Sequence, residues 1–109
     1  MRIRKEIDDQ SDDVLFLAEI ADALAHPVRV AILKYVAEKN QVRNDVCNSD
    51  LVQYLDYSQA TISQHVKKLV AVGLLRTIKQ DKFTIYFTDK AKLKEYMTLL
   101  KVFWPLDFK

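Results

Sequence analysis

The sequence predicts a mainly α-helical fold with one small β-hairpin, and three observations carry that expectation. Apolar residues recur at three- and four-residue spacing in five stretches, a further stretch alternates with a period of two, and the single glycine and two prolines stand at the edges of these stretches. With 109 residues, half of them apolar, the chain suits one domain over 1–109 with a usable but modest core. No linker, repeat or low-complexity segment divides it.

The acidic start, residues 1–11, is expected to fray. Val14, Leu17, Ala18, Ala21, Leu24 and Ala25 then mark a first amphipathic helix with Ser11 or Asp12 as N-cap. Pro27 disfavours helical backbone at His26 but suits the first turn of a second helix, which places Val28, Ile32, Tyr35 and Val36 on one face. His26 reads as an N-cap or junction residue rather than a ligand. Polar "NQVRND" breaks the pattern, and "SDLVQYLD" follows as a short third helix, capped by Ser49 and burying Leu51, Val52 and Leu55. The fourth helix, within "SQATISQHVKKLVAVG", takes Ser58 as N-cap and stops at Gly73, the residue type that most readily turns left-handed past a helix end. Two short helices joined by about three residues make a helix-turn-helix. "LLRTIKQ" and "FTIYFT" flank Asp81 and Lys82 as a hairpin, with Phe83, Ile85 and Phe87 alternating against Thr84, Tyr86 and Thr88. A turn without glycine predicts a loop longer than two residues. A last helix, 89–104, aligns Leu93, Tyr96, Met97, Leu100 and Phe103 until Pro105 interrupts it.

Composition narrows the function. No apolar run approaches the roughly 20 residues that cross a bilayer, and "MRIRKEIDDQSDD" lacks the apolar stretch of a secretory signal, so the expectation is a cytoplasmic protein with no membrane partner. Cys47, the single cysteine, can form neither an intramolecular disulfide nor a structural zinc site on its own. Two scattered histidines and no glycine-rich loop offer no recognisable nucleophile, phosphate cradle or metal triad; no catalytic residue, metal or cofactor is expected. Charge is unevenly spread. Residues 1–26 carry three basic side chains against seven acidic ones, whereas residues 58–88 carry five basic ones against Asp81 alone. Such asymmetry fits a chain that offers one face to a polyanion.

At 100° per residue, Ile62, Val66, Leu69, Val70 and Gly73 of the fourth helix face the domain, while Thr61, Ser63, Gln64, Lys67 and Lys68 face outward or flank that side. Amides can pair with adenine edges, hydroxyls with bases or phosphates, and lysines supply sequence-independent attraction. Gln59 lies at the N-terminal end, where a recognition helix reaches bases and phosphates. His65, at the border of the buried face, reads as a structural hydrogen-bonding residue. A hairpin with Arg76, Lys79 and Lys82 around its strands and tip follows at once. That order is a winged helix-turn-helix, with one helix for the major groove of double-stranded DNA and a basic wing beside the backbone. The competing reading is a winged-helix module that docks on protein or nucleic acid without reading sequence.

"LAHPVRVAIL", "SDLVQYLDYSQATISQHVKKLVAVGLL" and a wing ending "IYF" resemble the ArsR family of bacterial winged-helix repressors over roughly residues 14–103, with Tyr57 in place of the family's usual leucine. The resemblance implies a homodimer built from the first and last helices, with Val14, Leu17, Leu93, Met97, Leu100 and Phe103 at the interface. It also implies a pseudo-palindromic operator read by paired recognition helices, and release of DNA on sensing an inducer. Gln59, Ser63 and Gln64 match positions that contact bases or phosphates in the family. The sensing sites depart from it: Cys47-Asn48-Ser49-Asp50-Leu51 stands where many members carry a "CxCDL"-like metal motif, and the last helix offers Asp89 and Glu95 but no histidine. The inducer is therefore unidentified or absent. Cys47 is a packing residue, a redox thiol or an intersubunit ligand, and the tail "VFWPLDF" either extends the dimer core or lines an inducer pocket.

Overall fold

A computed structural model describes residues 11–105. Within them five helices and one hairpin follow in the order α1 (Ser11–Ala23), α2 (Pro27–Lys39), α3 (Asn48–Leu55), α4 (Gln59–Ala71), β1 (Leu75–Gln80), β2 (Phe83–Thr88) and α5 (Lys90–Phe103). Most of the start expected to fray, and residues 106–109, which include the end of the aromatic tail, lie outside the described residues.

In α1, Ser11 is already helical, so neither Ser11 nor Asp12 is the cap; Asp12 and Asp13 instead put carboxylates in the first turn, where the helix dipole favours them. Its buried side is Leu17, Ile20 and Ala23, with Leu24 partly covered, while Ala18, Ala21 and Ala25 stay exposed. The stripe is displaced from the expected one because α1 also packs on α5, where Lys92 Nζ lies 5.2 Å from the centre of the Phe16 ring.

His26 caps α2 as expected, its Nδ1 accepting the Val28 N–H at 3.1 Å, and Pro27 opens the helix. Val28, Ile32, Leu33 and Val36 are buried there, whereas Tyr35 is half-buried and stacks on Tyr54 at 4.4 Å. The cap of α3 is Cys47, not Ser49: the Asp50 carboxylate reaches back to accept the Cys47 N–H at 2.9 Å, which leaves Ser49 inside the first turn. Only Leu51 of α3 is fully buried; Val52 and Leu55 pack on the core from its edge. Asp56, left-handed at φ 58°, turns the chain from α3 into α4, and Ser58 Oγ accepts the Thr61 N–H at 3.2 Å to start that helix. Gly73, at φ 81°, carries the chain out of it.

The hairpin departs from expectation in two ways. Its loop is the two residues Asp81 and Lys82, because Gln80 pairs directly with Phe83 and Asp81 adopts φ 58°, a left-handed conformation that aspartate tolerates without glycine. Burial on β2 does not alternate either: Ile85 and Tyr86 are both buried, and Phe83 is exposed. The cause is non-local. β2 lies between β1 and the segment before α3, where the Tyr86 N–H donates to the Val46 carbonyl at 2.8 Å and Cys47 bridges to Ile85. Asn40 clamps the same strand, donating to the Tyr86 carbonyl at 3.3 Å and accepting the Thr88 N–H at 2.9 Å.

The core gathers Ile20, Ile32, Val36, Val46, Leu51, Ile62, Leu69, Leu74, Leu75 and Tyr86 from every element except α5. Asp89 caps α5 by accepting the Lys92 N–H at 3.1 Å. No residue of α5 is buried, although eight of its fourteen are apolar.

Candidate nucleic-acid interface

Ile62, Val66 and Leu69 anchor one side of α4 in the core and so fix what the other side presents. That outer side divides into three sectors. Ala60, Gln64 and Lys67 point straight outward and are exposed. Gln59 and Ser63 flank them toward the hairpin and border a cleft of about 460 Å³ with Asn48, Ser49, Lys82, Phe83, Thr84 and Tyr86. Thr61 and Lys68 flank them on the opposite side. Lys68 opens onto a hollow with Glu19 and Asp22 of α1, so the structure separates it from the other polar residues of α4. Val70, expected to pack inward, is 37 % exposed beside Thr77 and Thr84 at the base of the wing.

The Thr61 hydroxyl accepts from Ser58 Oγ at 2.9 Å, which ties it to the helix cap while leaving its own proton to donate. Ser63 is held from α3, its Oγ accepting from Asn48 Nδ2 at 3.4 Å; the same amide nitrogen donates to Tyr86 Oη at 3.3 Å. Asn48 thus touches α4 and the wing from the first residue of α3. Its Oδ1 is buried without a partner.

On the wing, residues three apart fall on opposite faces of a strand. Lys79 pairs with Thr84 on the face that carries Thr77 and Tyr86 toward α4, whereas Arg76 pairs with Phe87 on the other face. Arg76 Nε also lies 4.0 Å from an Asp89 carboxylate oxygen at the base of the hairpin. Lys82 occupies the tip and lines the cleft shared with Gln59 and Ser63. Of the nine predicted residues, Gln59, Ser63, Gln64, Lys67, Lys79 and Lys82 therefore share one side, while Arg76 and Lys68 diverge from it and Thr61 stands at its margin.

His65 makes a structural hydrogen bond, with Arg29 Nη1 at 3.2 Å from its Nδ1 and the His26 ring at 4.5 Å. Burial, then the neighbouring His26 and the Arg29 guanidinium, hold its imidazole below the ordinary histidine pKa. Arg29 also reaches the end of α1, where Nε donates to the Ala23 carbonyl at 2.6 Å and Nη2 to that of Asp22 at 3.4 Å.

Near Cys47, burial pushes the Asp50 carboxyl up, but the Cys47 N–H and Arg43, 2.9 Å away, outweigh it and hold the group below the ordinary carboxylate range. The thiol contacts Ser49 Oγ at 3.2 Å and Asp50 Oδ2 at 3.6 Å. Among the described residues no three His, Cys, Asp or Glu side chains group as a metal site. Sequence reasoning missed Asn48, Tyr86 and Arg29. Nothing local marks Asn48 or Tyr86, since both act across the fold; Arg29 could have been found one turn past a helix junction, where a guanidinium can meet the preceding helix's free carbonyls.

Residues 26–77 match the model of a family described as bacterial regulatory protein, arsR family. The chain is 30% identical over 83 residues to an uncharacterized HTH-type transcriptional regulator of Methanocaldococcus jannaschii, covering 76% of this chain and 89% of that one. An ArsR-like transcriptional regulator from Rhodococcus sp. RHA1 superposes with a TM-score of 0.68 at 27% identity, over 82% of this chain and 80% of that chain. A homodimeric winged helix-turn-helix DNA-binding domain from Mycobacterium bovis shares the fold, with a TM-score of 0.66 at 18% identity over 88% and 82% of the two chains.

Proposed function

Since the chain belongs to the ArsR family and is a DNA-binding winged helix-turn-helix transcriptional regulator, we propose that it acts as a homodimeric repressor on a pseudo-palindromic operator. The observation that carries the dimer is α5, an amphipathic helix with no buried residue in the protomer. A second copy packed across α5 and α1 would cover Met97 and Leu15, both exposed, and the homodimeric state of the Mycobacterium bovis domain supports this arrangement. Two α4 helices related by a two-fold axis then address half-sites about one turn of DNA apart.

Within each half-site, Gln59, Ser63 and Gln64 contact bases or adjacent phosphates, and Lys67, Lys79 and Lys82 neutralise the backbone. Arg76 and Thr61 contribute at the margins, and Lys68 balances the acidic end of α1 more than it meets DNA. Occupation of the operator denies the site to the transcription machinery. Among the described residues no helix is long and apolar enough to cross a membrane, and the site of action is the cytoplasm, with the DNA.

The test is selection of duplexes from a random pool, followed by affinities for selected and random DNA across a salt series. A specific regulator keeps a large ratio between the two, whereas a docking module that does not read sequence keeps none. Gln64→Ala should cost about 1–3 kcal/mol at particular base pairs and leave random DNA unaffected. Lys67→Ala should weaken every sequence alike and flatten the salt slope by about 0.9 per protomer. Equal losses on selected and random DNA for both variants would refute the assignment.

A further inference from the structure

Asn48 decides which hydrogen bond Ser63 can make. An amide nitrogen carries two N–H donors, and that of Asn48 directs them at two hydroxyls, Ser63 Oγ at 3.4 Å and Tyr86 Oη at 3.3 Å. Its Oδ1 is buried without a partner among the described residues. Turning the amide over would put both donors at that buried position in place of one oxygen, and a buried N–H without an acceptor is rarer in proteins than a carbonyl short of a donor. In the orientation seen, both hydroxyls accept.

A serine hydroxyl that accepts inside the protein keeps its one proton for a partner outside it. Tyr86 is buried, whereas Ser63 is exposed and can present that proton beyond the fold. Ser63 stands about 100° around α4 from Gln64, on the flank toward the hairpin, and lines one cleft with Lys82. The centre of a helix lying in the major groove meets base edges, and its flanks meet the phosphates along the groove wall. A hydroxyl proton in one cleft with an ammonium suits an acceptor of negative charge, which a phosphate is and a base edge is not.

We propose that Asn48 fixes the polarity of Ser63, committing its hydroxyl to donate to a DNA phosphate oxygen. This rests on the DNA-binding reading and adds to it which atom gives and which receives. Asn48 is a positioning residue: from the first turn of α3 it acts on DNA through Ser63, and its second N–H, on Tyr86, keeps the amide from turning.

The experiment measures the affinity of the full chain for a selected and a random duplex, with Ser63→Ala made in the wild-type, Asn48→Asp and Asn48→Ala backgrounds. In the wild type, Ser63→Ala should weaken both duplexes about tenfold for each half-site, with an unchanged salt slope because no cation is lost. In Asn48→Asp the carboxylate takes the Ser63 proton and the hydroxyl turns its lone pairs outward, so Ser63→Ala should leave affinity unchanged or raise it. The repulsion of the new carboxylate is present in both members of that pair and cancels. Asn48→Ala frees the hydroxyl to turn either way, and the cost of Ser63→Ala should fall between. Asn48→Asp should melt as the wild type does, since the helix dipole favours a carboxylate in the first turn of α3; if it melts early, an undiminished cost of Ser63→Ala in the Asn48→Ala background overturns the proposal. So does an equal cost in the wild-type and Asn48→Asp backgrounds, or a cost confined to the selected duplex, which would put the acceptor on a base edge. These outcomes leave the DNA-reading function standing, whereas a wild type that prefers no selected duplex overturns that function itself.

Discussion

Replacing Met97 tests the dimer at one of the exposed apolar residues of α5. Met97 lies midway along α5 with 57 % of its surface exposed. Full burial of a methionine side chain is worth about 1.5–3 kcal/mol, so covering the exposed half against a second copy contributes about 1 kcal/mol. A two-fold interface counts each residue twice, which makes about 2 kcal/mol per dimer. At about 1.4 kcal/mol per tenfold, Met97→Ala should raise the dimer dissociation constant by roughly 30-fold. Met97→Lys should do far more. It sets a charge three residues from Lys94 and four from Lys101, on a helix already rich in lysine, and burying an unpaired ammonium costs several kcal/mol. Sedimentation velocity across a concentration range gives the constant, and melting of the protomer should hardly move because Met97 adds little to its core. DNA affinity should fall with the dimer, since the second half-site loses its effective concentration. A Met97→Lys variant that sediments and binds DNA as the wild type does, or a wild type that remains monomeric throughout, would refute the reasoning.

Gly73→Ala should lower stability by about 1–2 kcal/mol in thermal melts, the cost of an L side chain at φ 81°. The added Cβ meets only the flexible end of Lys92, whose Cε would be 3.1 Å away, so an unchanged melting temperature would mean that the helix exit is not left-handed in solution. The lowered pKa of His65 makes the folded chain bind its proton less readily than the unfolded one. Its contribution is fully present above the unfolded value of about 6.5 and is lost as pH falls through the folded value. Melting temperatures should therefore drop between neutral and mildly acidic pH, and His65→Gln should reduce that drop; an identical pH slope for the variant would count against His65 as its source.

What could be read from the sequence was mostly local. A proline after His26, a serine at position 58 and one glycine at position 73 are each sufficient to place a helix boundary, because capping depends on the few residues around it. The polar sector of α4 was legible for the same reason, since Ile62, Val66 and Leu69 leave it a single orientation. Contacts across the chain were not legible. Pairing of β2 with Val46 and Cys47 buries both faces of a strand whose sequence reads as one-sided, and it leaves the terminal Phe83 uncovered. The two-residue loop was missed by requiring glycine where aspartate suffices. Arg76 and Lys79 read as one basic wing, but residues three apart fall on opposite faces of a strand, and Thr77, Thr84 and Tyr86 packing beside Val66 turn the Lys79 face toward α4. Lys68 read as part of one polar face with Gln64 and Lys67, whereas α1 sets Glu19 and Asp22 on its side of the helix.

These cross-chain contacts converge on α4, and that convergence bears on how the helix can read a groove. Recognition depends on side chains placed to within a fraction of an ångström, so the helix that carries them must itself be held from several directions. Asn48 fixes it near its start through Ser63, and the wing flanks it through Thr77, Thr84 and Tyr86. Arg29 fixes its middle through His65 while binding the last carbonyls of α1. A guanidinium suits that position because one planar group can direct several donors at fixed angles, which a lysine ammonium cannot reproduce. Through Arg29, the recognition helix is referenced to α1, the helix that packs on α5. In the proposed dimer, the separation of two α4 helices on DNA would thus be set by the same elements that join the two protomers, with one rigid side chain between them.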